Sequence, residues 1–377
     1  MTTDQVEFTA DELLADHEHL QPLIAHGVRC HGGLTEDGTY VSPRSRFRAG
    51  AIDAWEAQRV ARSGTAPLHL PLDTWPASFP NVEQSKLLLR NGVPGPTISS
   101  LTRIGTVEGF GAMMRVLPQP DLQPLFVDDI RGTATDHIRK GLFEAHARDE
   151  AGHEDQAGHD RMWFAARDLA FDDPVTEDET ARMLERMQIT PPPAKGDADA
   201  RAAIVERART NRVLPGDIDL VLEMVLSRMI GLLFIEIQAF HTFDWAEQVL
   251  ADTELCAGEG EAARLVGYIR ADETPHVGYL KVALSEMRDW TWRGTAGVTY
   301  DGAEMVGLLW QKALDESRFL RRADILRVAL DEIEHALAGR ADAADLFDEL
   351  LTLGSVVRQP DGTYVEQTAD GGEVRVT

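Results

Sequence analysis

The sequence predicts an all-α protein built around a four-helix bundle, and three observations lead to this prediction. The pattern E-x-x-H occurs at Glu150 and again at Glu273, each time in a stretch with helical character. Each pattern follows a lone glutamate in an apolar helical stretch, Glu108 in the first half and Glu236 in the second. The intervals between these residues fit two helices in each half and one long crossover between the halves.

The first part of the chain, 1–96, is predicted to wrap around the bundle. A capping-box pattern from Thr9 to Glu12 is expected to begin a short helix. A second helix is expected at 51–62, whereas 64–96 is rich in Pro and Gly and is predicted to be irregular.

The middle part, 97–292, is predicted to form the bundle itself. N-cap residues, glycines and prolines set the expected helix ends. Helices are expected at about 99–115, 135–169, 217–250 and 259–290, with the crossover at 171–216.

The last part, 293–377, is predicted to contain further helices and a short β-like tail. From Val356 onward, apolar and polar residues alternate around Asp361 and Gly362, which predicts a small hairpin. The helices are expected near 303–319, 322–338 and 341–353.

The two lone glutamates point to a functional site. Glu108 has Ile104 and Ala112 on its helical face, and Glu236 has Leu232 in the equivalent position. An ionised carboxylate on such a face is costly unless it is paired or binds a metal.

These motifs predict a dinuclear metal centre. Residues i and i+3 of a helix share a face, so each E-x-x-H directs a carboxylate and an imidazole to one point. Four carboxylates offset the charge of two divalent ions, and oxygen ligands with one imidazole per metal suit iron or manganese. No catalytic residue is assigned beyond the ligands. The predicted metal ligands are Glu108, Glu150, His153, Glu236, Glu273 and His276.

A third E-x-x-H, from Glu332 to His335, is interpreted as a surface or core-edge pair. Its companion, Glu304, lies at the start of a predicted helix, where the helix dipole explains an acid. Surface ion pairs are common and contribute little.

The N-terminal part carries a second group of polar residues. A metal site at His26, Cys30 and His31 would lack a completing cluster, so none is expected there. Several arginines lie close together in this otherwise acidic chain. They could bind an anionic substrate, but salt bridges to the acidic surface are the favoured interpretation. The arginines are Arg29, Arg44, Arg46 and Arg48.

Over roughly residues 97–290, the chain resembles the ferritin-like di-iron carboxylate superfamily. The resemblance implies a ferritin-like bundle and two metal ions, Fe/Fe or Mn/Fe, bridged by Glu150 and Glu273. It also implies that Asp149 and Asp272, each preceding a motif glutamate, hydrogen-bond the ligand histidines.

Further candidate ligands lie near the first motif. His146 and Glu154 share the helical face of Glu150, and some members of the superfamily use additional histidines. His159 and His241 are also candidates. The alternative for each of these residues is an ordinary polar side chain lining the bundle or its rim.

At several positions this chain differs from known subfamilies of the superfamily. These differences exclude some subfamilies but do not identify the one that it resembles. Ala157 stands where reductase small subunits carry their radical tyrosine. The only cysteines, Cys30 and Cys256, cannot form the C-x-x-C site of rubrerythrins. A chain of 377 residues is also far longer than a minimal ferritin.

The resemblance implies an oxidoreductase that uses O₂ to hydroxylate or N-oxygenate a small organic substrate. One alternative is a metal-handling ferroxidase without an organic substrate. Another is a metal-free structural protein whose buried acids are neutralised by arginines such as Arg103, Arg115 or Arg270.

Composition and charge restrict location and partners. The net charge of −26 argues against nucleic acids and anionic membranes, and would suit a basic electron-transfer partner. No signal peptide or membrane-spanning run is visible, and the two cysteines lie far apart, so a cytoplasmic protein is expected. A homodimer is compatible with these features.

Overall fold

The computed structural model describes residues 6–18, 20–115, 119–189, 198–368 and 371–376. This part of the chain is mostly helical, as predicted, but it also contains three small antiparallel sheets. Within these ranges, no helix combines the length and the apolar character needed to cross a bilayer.

The N-terminal region contains a three-stranded sheet where the sequence predicts the end of the short helix, at about Ile24, and then turns. The capping box at Thr9 is confirmed, but the helix ends at Leu13. His26 and Gly27 both have positive φ (47° and 73°), which suits a two-residue hairpin turn. The elements are α1 (Ala10–Leu13), β1 (Gln21–Ala25), β2 (Val28–Leu34), β3 (Tyr40–Val41), α2 (Arg48–Ser63) and α3 (Val82–Arg90).

The helix expected at about 99–115, α4 (Gly95–Gly109), begins earlier than predicted, because Pro96 is well placed in a first turn. It continues as a 3₁₀-helix, Phe110–Arg115. Gly111 is required there, since a Cβ atom would collide with the Glu150 side chain. This glycine therefore serves packing rather than leaving room for a substrate.

The predicted second helix, 135–169, is broken. Gly152 adopts φ 76°, and a Cβ atom there would lie 2.6 Å from the carbonyl oxygen of Gln156. A loop, 152–158, therefore separates two helices. The elements are α5 (Ala134–His137), a π-helical turn (Ile138–Leu142), α6 (Phe143–Ala151) and α7 (His159–Ala170).

The broken loop is held by the N-terminal sheet. The amide of Ala157 donates to the carbonyl of Arg29 at 2.8 Å, and the amide of His31 donates to the carbonyl of Ala157 at 3.0 Å. Strand β2 thus fixes the point at which α7 begins.

The two longest helices of the described chain, α10 (Leu220–Leu250) and α11 (Glu261–Asp289), confirm the helices predicted at about 217–250 and 259–290. They pack against each other, and α7 packs against both α4 and α11. The Asp219 side chain caps α10 by accepting from the amide of Val221 at 2.8 Å.

The remaining elements lie in the crossover and the C-terminal part. The predicted C-terminal helices and strand-forming tail are confirmed, and a short hairpin precedes them. These elements are α8 (Glu177–Arg186), α9 (Ala198–Thr210), β4 (Thr291–Arg293), β5 (Thr299–Asp301), α12 (Gly302–Asp315), a π-helical segment (Glu316–Arg321), α13 (Arg322–Leu337), α14 (Ala343–Thr352), β6 (Val356–Arg358), β7 (Tyr364–Gln367) and β8 (Glu373–Val376).

Candidate metal centre

Side chains with metal-binding atoms converge between the core helices. All are buried except Glu108, whose side chain is 15% exposed. They are Glu108 on α4, His146 and Glu150 on α6, His159 on α7, Glu236 on α10, and Glu273 and His276 on α11.

One group consists of His146, Glu150, Glu236 and His276. Nε2 of His146 lies 3.0 Å from Oε1 of Glu236 and 3.3 Å from Oε1 of Glu150. Nδ1 of His276 lies 3.2 Å from the same Glu150 oxygen. Two imidazoles and two carboxylates therefore face one point.

A second group consists of Glu108, Glu150, His159 and Glu273. Nδ1 of His159 lies 2.9 Å from Oε1 of Glu273 and 3.4 Å from Oε2 of Glu150. The same nitrogen lies 3.9 Å from Oε2 of Glu108. This group has one imidazole and three carboxylates.

Two glutamates lie between the groups. Glu150 directs Oε1 toward His276 and Oε2 toward His159. Glu273 directs Oε2 toward His276, at 2.7 Å, and Oε1 toward His159. Each can therefore share its two oxygens between two adjacent cations.

Burial and neighbouring charges shift the pKa values of the carboxylates and of His159 in the cluster. Burial and the neighbouring Glu273 raise the pKa of Glu150 well above its ordinary value. Burial and Glu236 do the same to the pKa of Glu273. Burial disfavours the charged form of His159, but Glu273 and Glu150 raise its pKa well above the ordinary value. The cluster thus favours added positive charge.

Several polar atoms in the cluster are buried and lie within 3.2 Å of another cluster atom, yet make no hydrogen bond of suitable geometry among the described residues. Buried polar groups in folded proteins are nearly always satisfied, so these atoms suit an additional bound species. Carboxylate oxygens and imidazole nitrogens are suitable donors for iron or manganese. The atoms are Nε2 of His146, Oε1 of Glu150, Nδ1 of His159 and Oε1 of Glu273.

The predicted aspartates lie behind the histidines, each contacting the ring from the other half of the bundle. Oδ2 of Asp149 lies 2.8 Å from Nε2 of His276. Oδ2 of Asp272 lies 3.4 Å from Nε2 of His159 and accepts from the Tyr40 hydroxyl at 2.8 Å. The first contact is a hydrogen bond that orients the ring of His276, whereas the second is a charge contact without hydrogen-bond geometry.

The interpretation of the N-terminal arginines as salt-bridging residues is confirmed. Arg44 and Arg48 bind Asp149, with closest N–O distances of 2.5 and 2.7 Å. Burial opposes the charge of Asp149, but the two guanidinium groups hold its pKa well below the ordinary value. Arg46 binds Glu18 at 2.6 Å, and Arg29 binds Asp155.

His153 and Glu154 do not join the cluster, which corrects the prediction that they share a face with Glu150. The helix ends at Ala151, so the i+3 relation is lost. The His153 side chain is 37% exposed and lies 3.7 Å from Oε1 of Glu154, whose side chain is 80% exposed. His159, at the start of α7, occupies the position expected for His153.

Other sequence candidates have ordinary contacts. His241 lies at the rim, with Nε2 2.9 Å from the Leu72 carbonyl oxygen. Glu332 accepts from Arg186 at 2.6 Å and its side chain is 9% exposed, which confirms the interpretation of this glutamate as a core-edge residue. Arg270 binds Glu247 at 2.8 Å rather than a cluster glutamate. The side chain of Arg115 lies outside the described residues.

Two contacts were not predicted from the sequence. Nε2 of His31 lies 3.0 Å from Oδ2 of Asp272, so the N-terminal sheet reaches the aspartate behind His159. Strands β2 and β3, which bring His31 and Tyr40 to this aspartate, fall in a stretch that is rich in turn-forming residues. The two strands were therefore not recognised.

Comparisons with known proteins leave the family open. No protein-family model, curated protein or solved structure matches this chain. The resemblance to di-iron carboxylate proteins therefore stays a prediction that rests on the residues themselves.

Proposed function

We propose that the chain is a dinuclear-metal oxidoreductase of the ferritin-like type that uses O₂ to oxidise a small organic molecule. The observation that carries the proposal is the pair of ligand groups that share Glu150, with Glu273 facing a histidine from each. A closed single-metal site would not need two such glutamates.

The candidate ligands divide into two sets, one for each ion. His146, Glu236 and His276 would hold one ion, and Glu108 and His159 would hold the other, with Glu150 and Glu273 between them. This set replaces the predicted His153 by His159 and adds His146. When bound, two iron ions, or one manganese and one iron, would supply the electrons for reducing O₂.

The surrounding residues position the ligands. Nδ1 of His146 lies 2.9 Å from the Tyr279 hydroxyl, which orients the ring so that Nε2 faces Glu236 and Glu150. Asp149, held by two buried arginines, fixes the ring of His276. Such supports keep the donor atoms in place without a ligand-induced rearrangement.

An organic substrate is favoured over iron handling alone by a cavity of about 490 Å³ that includes Glu108 in its wall. Its volume lies within the range of small-molecule sites, and its wall is mainly apolar. A route for hydrated iron ions would be expected to be lined by polar groups.

Partners and location stay predictions. The net charge of −26 favours a basic electron donor if the metals are reduced by another protein. A cytoplasmic location, a homodimer and the lack of nucleic-acid or membrane binding remain expectations from sequence.

Elemental analysis of protein expressed with added iron tests the proposal. We expect about two iron or manganese ions per chain, from the two-group ligand design. Glu236→Ala should lower the content, while Glu332→Ala, which changes an acid on α13 that pairs with Arg186 outside the cluster, should leave it unchanged. A folded protein with metal content near zero would contradict the proposal.

A further inference from the structure

The cavity beside Glu108 has an arginine, Arg103, in a mainly apolar wall, and the proposed oxidation does not by itself require this arginine. It lies between α4 and α10, is bordered by residues 75–80 and by the segment leading into α13, and is open to solvent on part of its surface. From α4 its wall receives Ser100, Arg103, Ile104, Val107 and Glu108. These positions follow helical spacing, so they form one continuous face of α4.

Arg103 is a cation without a paired anion in this wall. No carboxylate of the described residues makes an ion pair with it. Burial lowers the pKa of its guanidinium, and the acid that favours its charge, Glu332, is already bound to Arg186 at 2.6 Å. Arginine nevertheless stays protonated in proteins, so a positive charge lines the cavity.

The cavity between Arg103 and Glu108 is apolar. Ile104 and Val107 cover it from α4, and Phe234, Ile235 and Ala239 cover it from α10. Val107 and Ile235 are 37% and 44% exposed, so part of this apolar wall is accessible to a ligand from solvent.

The distance between Arg103 and Glu108 sets the length of ligand that could contact both residues. Arg103 and Glu108 are five positions apart on α4, which is about 7.5 Å along the helix axis. A ligand with its anion on Arg103 and its body along Ile104 and Val107 would therefore reach the metal-facing glutamate.

We propose that this cavity binds a small amphipathic carboxylate, with its carboxylate on Arg103 and its apolar chain directed toward Glu108. This inference rests on the proposed function for the fate of the ligand, but not for its binding. A monoanion fits better than a dianion, because the wall holds two acids, Asp324 and Glu108, against one further arginine, Arg321. Arg322 is already bound to Glu366.

Titration calorimetry with octanoate and octanamide tests the proposal. We expect octanoate to bind more tightly than octanamide. Arg103→Met should weaken octanoate binding about 10- to 100-fold, since a charged hydrogen bond is lost, and should leave octanamide unchanged. Arg264→Met, which changes an exposed arginine on α11, is the matched control and should alter neither affinity.

A second variant tests the apolar part. Ala239→Phe adds volume within the wall and should weaken both octanoate and octanamide, with thermal unfolding showing that the protein still folds. Equal octanoate affinity in the wild type and Arg103→Met would overturn the proposal, because the carboxylate would then bind elsewhere, including at a metal.

Metal content measured on the same samples separates the two proposals. Octanoate binding through Arg103 in a protein without metal would support the cavity and contradict the oxidoreductase function. Two metal ions per chain with no octanoate binding would contradict the cavity and leave the metal centre standing.

Discussion

His159 begins α7 with a fully buried ring, and its Nδ1 faces Glu273 and Glu150. His153 lies in the preceding loop with a partly exposed side chain. The two histidines are close in sequence and differ mainly in whether they reach the cluster. They therefore form a natural pair for substitution.

His159→Ala should lower bound metal from about two ions per chain to about one, because the second group loses its only imidazole. His153→Ala should retain the wild-type content. Elemental analysis with circular dichroism as a folding check measures both. Loss of metal from His153→Ala alone would mean that His153, not His159, is the ligand.

At the residue scale, sequence reasoning was accurate where helices are unbroken. The structure brings Glu108, Glu236, Glu273 and His276 together with Glu150, as the spacing predicts. The i+3 rule failed only after Glu150, where the helix ends. Gly152 was the available signal, since a glycine inside a predicted helix marks a place where the chain can leave it.

At the element scale, the loop between α6 and α7 requires a backbone that only glycine adopts readily. Gly152→Ala should lower the free energy of unfolding by about 1–3 kcal/mol, because of its positive φ and the nearby Gln156 carbonyl. Urea denaturation measures the change.

Gly231→Ala is the matched control. Gly231 lies inside α10, and a Cβ atom there would meet nothing within 4 Å. This change should stabilise the protein by up to about 1 kcal/mol. A neutral Gly152→Ala variant would show that the loop does not depend on the left-handed conformation.

A buried acid links two other elements. Glu286 on α11 accepts hydrogen bonds from the amide and hydroxyl of Thr135 at the start of α5, at 2.9 and 2.8 Å. Burial raises its pKa from 4.5 to about 7. Because the folded state holds this proton more tightly, the acid costs stability progressively as pH rises from 4.5 to about 7.

Glu286→Gln should remove that cost. Relative to the wild type, the variant should gain roughly 3 kcal/mol of unfolding free energy between pH 4.5 and pH 7.5. Urea denaturation at both pH values measures the difference. If the difference in unfolding free energy between the wild type and Glu286→Gln is the same at both pH values, the raised pKa of Glu286 is contradicted.

Among the elements, long helices could be predicted and short strands could not. The apolar pattern of α10 and the capping residue Asp219 define that helix well. Strands β1 and β2 occupy a stretch rich in turn residues, and their function becomes visible only when His31 meets Asp272. Sequence-distant contacts of this kind carry no local signal.

At the scale of the whole molecule, the half of the chain that contains α6 and α7 and the half that contains α10 and α11 contact each other at the candidate metal centre. Asp149 from the first half contacts His276 from the second, and Asp272 contacts His159 in return. The N-terminal region contacts both aspartates, Asp149 through Arg44 and Asp272 through His31. The region predicted to wrap the bundle thus helps to set its chemistry.

The central claim is that two metal ions lie side by side between these halves. Crystals of iron-loaded protein, measured at wavelengths on either side of the iron absorption edge, test it most directly. We expect two anomalous peaks, one beside His146 and His276 and one beside His159, with Glu150 contacting both. A single peak, no peak, or a peak at His153 would contradict the account.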